Sequence, residues 1–361
     1  MDNTEQIKEL EEELRVTKYN KRTQHHIGLV KAKIARLKEQ RERRSKQGVK
    51  VCSVRKSGDA SVSIIGFPSV GKSTLLNILT NAKSKVAAYE FTTLTAIPGL
   101  MHYNNANIQL LDLPGVIGGA AKGIGRGREV FSMLRITDLV LILVDVNHPE
   151  HYSVLKREIR NAGLRLNRKR PDVRIKKTAK DGIRVGFTVR PTKIDETTIK
   201  LILKEFKLNN AEVLIREDIN IDEFIDCLED NKVYAPSLVV LSKIDTVSKG
   251  TASGVSKKIN ADIAISAEKD VNIDKLKEMI YDKLGLINIF LKQPGKKADF
   301  NVPLIMEKGC TIGNVCEKLH KDFINKFKFV RIWNSKKFSG QKLLRLEHRL
   351  DDGDVLEIHL K

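Results

Sequence analysis

The chain is poor in cysteine. Its 361 residues include 4 cysteines, Cys52, Cys227, Cys310 and Cys316. They are scattered, so they offer no disulfide framework. Cys310 and Cys316 lie near each other, but no second pair matches them, so no zinc site is expected. A reduced, cytoplasmic setting is the simple expectation. Long apolar runs are also missing. No stretch approaches the roughly 18 apolar residues of a membrane span. The opening MDNTEQIKELEEE is acidic and polar, unlike a signal or transit peptide. Acidic residues are short as well, with 45 Asp and Glu against 65 Lys and Arg.

The resulting net charge of +20 is unevenly placed. Residues 15–56 hold 15 Lys or Arg against 2 Asp or Glu, and residues 152–193 hold 14 against 3. These two segments exceed the whole net charge, and the remainder is slightly acidic. Such concentration is the footprint of polyanion binding. Nucleic acid, ribosomal RNA first, is the expected partner. An anionic membrane is the rival, but neither segment has the strongly apolar face of an interfacial helix. No membrane association is expected.

What the chain does have is a phosphate loop. Residues 66–73 read GFPSVGKS. Gly66, Phe67, Pro68, Ser69, Val70, Gly71, Lys72 and Ser73 fit G-x-x-x-x-G-K-[ST]. Glycines let the backbone wrap so that N–H groups converge on phosphate oxygens. Lys72 would reach the β- and γ-phosphates, and the Ser73 hydroxyl would bind Mg²⁺. The bland alternative is a chance match in a glycine-rich turn. Its flanks argue otherwise: SVSIIG before it reads as a strand, and TLLNILT after it as a helix.

Further signals narrow the nucleotide. IQLLDLPG is a strand running into Asp112, Leu113, Pro114 and Gly115. An acid at a strand end can hold Mg²⁺ through water, and the Gly115 N–H would meet the γ-phosphate. FTTLT, which is Phe91, Thr92, Thr93, Leu94 and Thr95, lies between the two. A threonine there would close over Mg²⁺, Thr93 by preference over Thr92. SLVVLSKID is a strand running into Ser242, Lys243, Ile244 and Asp245. The Asp245 carboxylate can accept both N1–H and N2–H of guanine, which adenine does not offer. ADIAISAEKD ends a further strand in Ser266, Ala267 and Glu268, suited to contact with the base oxygen. Singly these tetrapeptides are common. In this order, each at a strand end or in a loop, they point to GTP.

GFPSVGKST, FTTLT, DLPGVIGGAAKGIGRGREV, SKID and SAE together resemble the translation-factor-type GTPases. More closely, they resemble the Obg-related developmentally regulated GTP-binding proteins. The likeness runs over nearly the whole chain, tightest in the motifs. It implies an α/β fold: a P-loop GTPase domain, an inserted small α/β subdomain, an N-terminal helical hairpin and a C-terminal β-grasp (TGS-like) domain. The residues agree. Apolar positions recur helically in residues 4–47, and 91 residues separate the strands LVLILVD and SLVVLSK, far beyond a crossover. The expected boundaries are 1–58 for the basic hairpin, 59–149 with 233–288 for the core, 150–232 for the basic insert and 289–361 for the last domain.

The resemblance implies hydrolysis of GTP to GDP and phosphate, with Mg²⁺, and a ribosome-associated role in translation or ribosome maturation. It also implies a zinc-finger-containing partner protein. Three positions depart from the family pattern. Ser242 replaces the usual Asn, and Gly118 stands where an acid is common. Ser69 replaces an Asn that helps hold a monovalent cation, which weakens the case for K⁺. Val116 also stands where many GTPases carry a water-orienting Gln. Lys72, Asp112, Gly115 and Thr93 are therefore the candidate catalytic residues, in a site of slow intrinsic rate. Other readings stay open: a non-ribosomal signalling or trafficking switch, an ATP-using enzyme, or a binding protein with a dead site.

Overall fold

The computed structural model describes residues 3–18, 20, 22–44, 58–80, 98–112, 137–335 and 339–361. The chain divides into two compact units. One comprises residues 1–51 and 163–234, the other residues 52–162 and 235–361.

In the first unit, α1 (Asn3–Val16) and α2 (Gln24–Arg44) form an antiparallel pair. Ile7, Leu10 and Leu14 of α1 meet Val30, Ile34 and Leu37 of α2, as their helical spacing requires. The acidic arm pairs with the basic one: Lys38 reaches Glu11 at 2.7 Å and His26 reaches Glu13 at 2.8 Å. The opposite side of α2 packs on α5 (Glu196–Glu205) and α6 (Ile221–Glu229), with Ala32 buried among Ile199, Ile202 and Phe224. Arg36 binds Glu205 at 2.8 Å, and Lys31 binds Asp222 at 2.8 Å. Asp195 caps α5 through the Thr198 N–H, and Asn220 with Glu223 forms a capping box on α6.

These helices cover one face of a sheet ordered β6 (Val173–Lys177), β8 (Ala211–Ile215) and β7 (Ile183–Phe187). Val173, Ile175, Ile183, Val185, Val213 and Ile215 point into that core. Their neighbours Arg174, Lys176 and Arg184 are exposed, the period of two that a half-buried strand shows. β5 (Leu164–Leu166) pairs with β9 (Val233–Ala235), which brings the ends of this segment side by side.

The second unit is built on a six-stranded sheet ordered β11-β10-β4-β1-β3-β2. Its strands are β1 (Ala60–Gly66), β2 (Pro98–Tyr103), β3 (Ala106–Asp112), β4 (Leu139–Asp145), β10 (Ser237–Ser242) and β11 (Ile263–Ala264). All pair in parallel except β2, which runs antiparallel to β3. Every residue of β1, β4 and β10 is buried, the mark of a sheet covered on both faces. α3 (Lys72–Leu79) buries Leu75, Leu76 and Leu79, and α4 (His151–Asn161) buries Leu155 and Ile159. α7 (Lys249–Ile259) buries Ala252 and Ile259, and α8 (Ile273–Leu284) buries Leu276 and Ile280.

The register matters for the site. Ile64 sits beside Asp112, Gly66 beside Leu143, and Ser242 beside Asp145. The carboxyl ends of β1, β3, β4 and β10 therefore share one edge. In open α/β sheets ligands bind outside that edge, where the strand order reverses. Here the reversal is at β1, between β3 and β4.

A second sheet follows, ordered β13-β12-β16-β14-β15. Its strands are β12 (Leu286–Leu291), β13 (Asp299–Glu307), β14 (Phe327–Trp333), β15 (Gln341–Leu343) and β16 (Val355–Leu360). One face carries α9 (Ile312–Leu319), whose Ile312, Val315 and Cys316 are buried on Val330, Ile332 and Leu356. Thr311 and Asn314 form the capping box of α9. This is a β-grasp, as the resemblance implies. It is joined to the larger sheet's core through Leu286 and Ile305, and the Asn288 amide donates to the Tyr281 hydroxyl at 3.1 Å. No helix among the described residues is long and apolar enough to cross a membrane.

Candidate functional site

The phosphate loop leaves β1 at Gly66. A Cβ there would lie 2.9 Å from the Leu143 carbonyl oxygen and 2.8 Å from a Val70 methyl, so only glycine fits. Ser69 and Gly71 turn the loop with φ of 60° and 95°. No side chain among the described residues caps α3, so its first-turn N–H groups remain for an anion. Lys72 folds back, its Nζ donating to the Gly66 carbonyl at 3.1 Å and the Phe67 carbonyl at 2.9 Å. Burial pushes its pKa down, while the Asp112 carboxylate opposes the shift.

Asp112 ends β3. Burial pushes its carboxyl up from the usual carboxylate range, and Lys72 pulls the other way. Its Oδ1 is buried and has no hydrogen-bond partner among the described residues. A buried, unpaired carboxylate oxygen is costly unless something satisfies it. A hydrated divalent cation beside Ser73 fits that demand and this donor set of hydroxyl and carboxylate. The folded chain holds its Asp112 proton to higher pH than the unfolded one, so this group lowers stability as pH rises through that window. Nucleotide-free Asp112→Asn should lack that decline in denaturant titrations across pH, yet hydrolyse GTP about 10²-fold more slowly.

The end of β10 is tied to the phosphate loop, as a serine in place of Asn still allows. Ser242, buried at the end of β10, donates to the Val70 carbonyl at 3.0 Å or the Val144 carbonyl at 3.2 Å. Serine therefore does reach back to the phosphate loop. Lys243 takes a left-handed φ of 59° and pairs with Asp145 at 2.9 Å. Burial pushes the Asp145 carboxyl up, but Lys243 and Asn147 outweigh it and hold it below the usual range. Asp245 follows on a short 3-10 turn, Ile244–Thr246. A hydrogen bond from the Ser266 hydroxyl leads the effects that keep its carboxyl ionised below the ordinary range.

These groups open onto one cleft of about 360 Å³. Ser69, Val70, Gly71, Lys72, Ser73, Ser242, Lys243, Asp245, Ala267 and Glu268 line it. Gly66, Phe67, Pro68, Asp112, Ile244 and Ser266 flank it rather than line it. Ile244 instead donates its N–H to Ile265 at 3.3 Å. Phe91, Thr92, Thr93, Leu94, Thr95, Leu113, Pro114 and Gly115, with Val116 and Gly118, lie outside the described residues. Sequence reasoning passed over Thr74, Leu143, Thr246 and Ile265, which also line the cleft. It also passed over Asp145 and over His151, whose ring stacks on Phe67 at 3.9 Å. For Asp145 a signal existed: LVLILVD is an apolar strand ending in an acid, as IQLLD is.

A family model described as a 50S ribosome-binding GTPase matches residues 61–177. A model of the C-terminal region of that domain matches 180–286, and the TGS domain matches 287–360. The chain is 42% identical to developmentally-regulated GTP-binding protein 2 of Homo sapiens, covering 98% of each chain. The chain belongs to the developmentally regulated GTP-binding protein family. An uncharacterized GTP-binding protein of Methanocaldococcus jannaschii is 51% identical over 99% of this chain and 93% of its own length. GTP-binding protein 1 of Schizosaccharomyces pombe is 42% identical over 99% of each. As a member of this family the chain is a P-loop GTPase, and it binds guanine nucleotides and hydrolyses GTP.

Proposed function

We propose that this GTPase is a switch that acts on the ribosome, in translation or ribosome maturation, in the cytoplasm. The observation that carries the reading is the placement of charge. The basic segments at 15–56 and 152–193 fall largely within the unit of residues 1–51 and 163–234. Arg174, Lys176, Lys177 and Arg184 stand exposed on its sheet, where phosphates can reach them. The description of the matching family model, a 50S ribosome-binding GTPase, supports the same reading.

In the proposed mechanism Asp245 selects guanine through N1–H and N2–H, with Ser266 keeping the carboxylate oriented and charged. The Lys243–Asp145 pair and the Ser242 hydroxyl hold that loop against the phosphate loop. The loop's N–H groups and Lys72 stabilise the charge that spreads onto the β- and γ-phosphate oxygens. Ser73 and Thr93 would hold Mg²⁺, with Asp112 supporting it through water; the ion neutralises phosphate charge when bound. Gly115 would offer its N–H to the γ-phosphate. Val116 supplies no carboxamide to orient water, so the unaided rate is slow.

Cosedimentation with ribosomes across a salt series tests this reading. Binding with a non-hydrolysable GTP analogue should exceed that with GDP. It should also fall steeply with salt, as expected when several phosphates are contacted. Salt-insensitive association, or none, would overturn the ribosomal role.

A further inference from the structure

β4 leaves the larger sheet through NHPEHY, residues 147–152, and α4 begins within that stretch. Two of the chain's 8 histidines fall there, His148 and His151, together with Glu150. Among the described residues, these three are the one group of three or more His, Cys, Asp or Glu that converges. Their ligand atoms all lie within 4.8 Å of one another.

The backbone brings them together. The His151 N–H donates to the His148 carbonyl at 3.2 Å, and the Ser153 N–H to the Glu150 carbonyl at 3.2 Å. A tight turn therefore passes straight into the helix, with Pro149 fixing φ inside it. Side chains three apart on such a turn share a side. The His148 and His151 rings accordingly stack, with centroids 5.1 Å apart and planes 23° apart. The His151 ring also stacks on Phe67 of the phosphate loop at 3.9 Å, which fixes its place. His151 is half-buried, while His148 and Glu150 are exposed.

The spacing is that of metal ligands. His148 Nδ1 lies 3.2 Å from Glu150 Oε1. Bonds of about 2.0–2.1 Å at the tetrahedral angle set neighbouring zinc ligands roughly 3.3 Å apart. An exposed His–Glu contact at a helix start is by itself a surface pair of little worth. That reading accounts for one histidine, not for a second imidazole brought to the same point. Two nitrogens and one carboxylate are the donors that zinc and its transition-metal neighbours take, whereas magnesium and calcium favour oxygen alone. The Glu150 charge also offsets the positive end of α4, which a cation would meet there.

We propose that His148, Glu150 and His151 bind one divalent transition-metal ion of the zinc type, beside the phosphate loop and distinct from the cation position at Ser73. Three protein ligands leave a fourth position for water. The site needs neither the ribosome nor the nucleotide.

The experiment titrates the full-length, nucleotide-free protein with Zn²⁺ in a calorimeter, so that no phosphate competes for the metal. Excess Mg²⁺ is present to cover oxygen-only sites. One ion per chain should bind with a Kd of about 10 µM or tighter. Co²⁺ then reports the donors through its visible spectrum. Nitrogen and oxygen bands are expected, without the thiolate band that any of the 4 cysteines would give. His148→Gln should weaken Zn²⁺ binding by at least about 10-fold. Its GTP hydrolysis without added zinc should match the parent, which shows that the variant is folded. His151→Phe keeps a ring against Phe67 and removes only the ligand, so it should lose Zn²⁺ to the same degree. Binding weaker than about 100 µM, a thiolate band, or either variant at the parent's affinity would overturn the proposal.

Discussion

Asp245→Asn should lose at least about 10²-fold in affinity for GTP and GDP, and should gain affinity for xanthosine nucleotides. The carboxylate offers two acceptor oxygens to the two N–H donors of guanine. An amide offers one acceptor and one donor, so a guanine N–H is left unpaired against the Asn amide hydrogens. Xanthine carries a carbonyl where guanine carries its amino group, which suits the amide. The fold should tolerate the change, because Asp245 stands half-exposed on a short turn rather than in the core. Competition against a fluorescent guanine nucleotide reads the affinities. Unchanged GTP binding would mean that the base lies elsewhere.

The second large effect concerns Lys72. In the nucleotide-free chain its ammonium is bonded to the Gly66 and Phe67 carbonyls, which gain or lose little when a phosphate takes over. Its real partner is the charge that grows on the phosphate oxygens. Lys72→Ala should therefore reduce single-turnover hydrolysis by about 10³-fold or more. Thermal stability of the nucleotide-free protein should stay close to that of the parent, since burial already makes the ammonium costly to hold. A variant that hydrolysed GTP within about 10-fold of wild type would remove Lys72 from the mechanism.

How much of this could be read from the residues depends on how local each constraint is. The phosphate loop was readable because its demands are local. Gly66 has no room for a Cβ, Gly71 needs a left-handed φ, and Lys72 must begin a helix. The strands around it were readable because apolar runs such as LVLILVD fit a sheet buried on both faces. The β-grasp was expected from the family resemblance, and β14 and the Thr311 cap of α9 agree with it. What escaped is tertiary. α2 is held to the insert by Gln24 donating to the Lys193 carbonyl and by Arg36 binding Glu205, each across 169 positions. No periodicity reports a pairing at that distance. The Lys243–Asp145 pair and the His151–Phe67 stack escaped for the same reason, since each joins segments whose strands had first to be placed side by side.

In the proposed role this GTPase waits for the ribosome to complete its site. The direct test is the rate of GTP hydrolysis by the purified chain, measured alone and again with ribosomes. Alone, turnover should fall well below about 1 s⁻¹, because Val116 offers no group to orient water. Ribosomes should raise it by at least about 10-fold. A rate near 1 s⁻¹ without any partner, or one that ribosomes leave unchanged, would contradict the account.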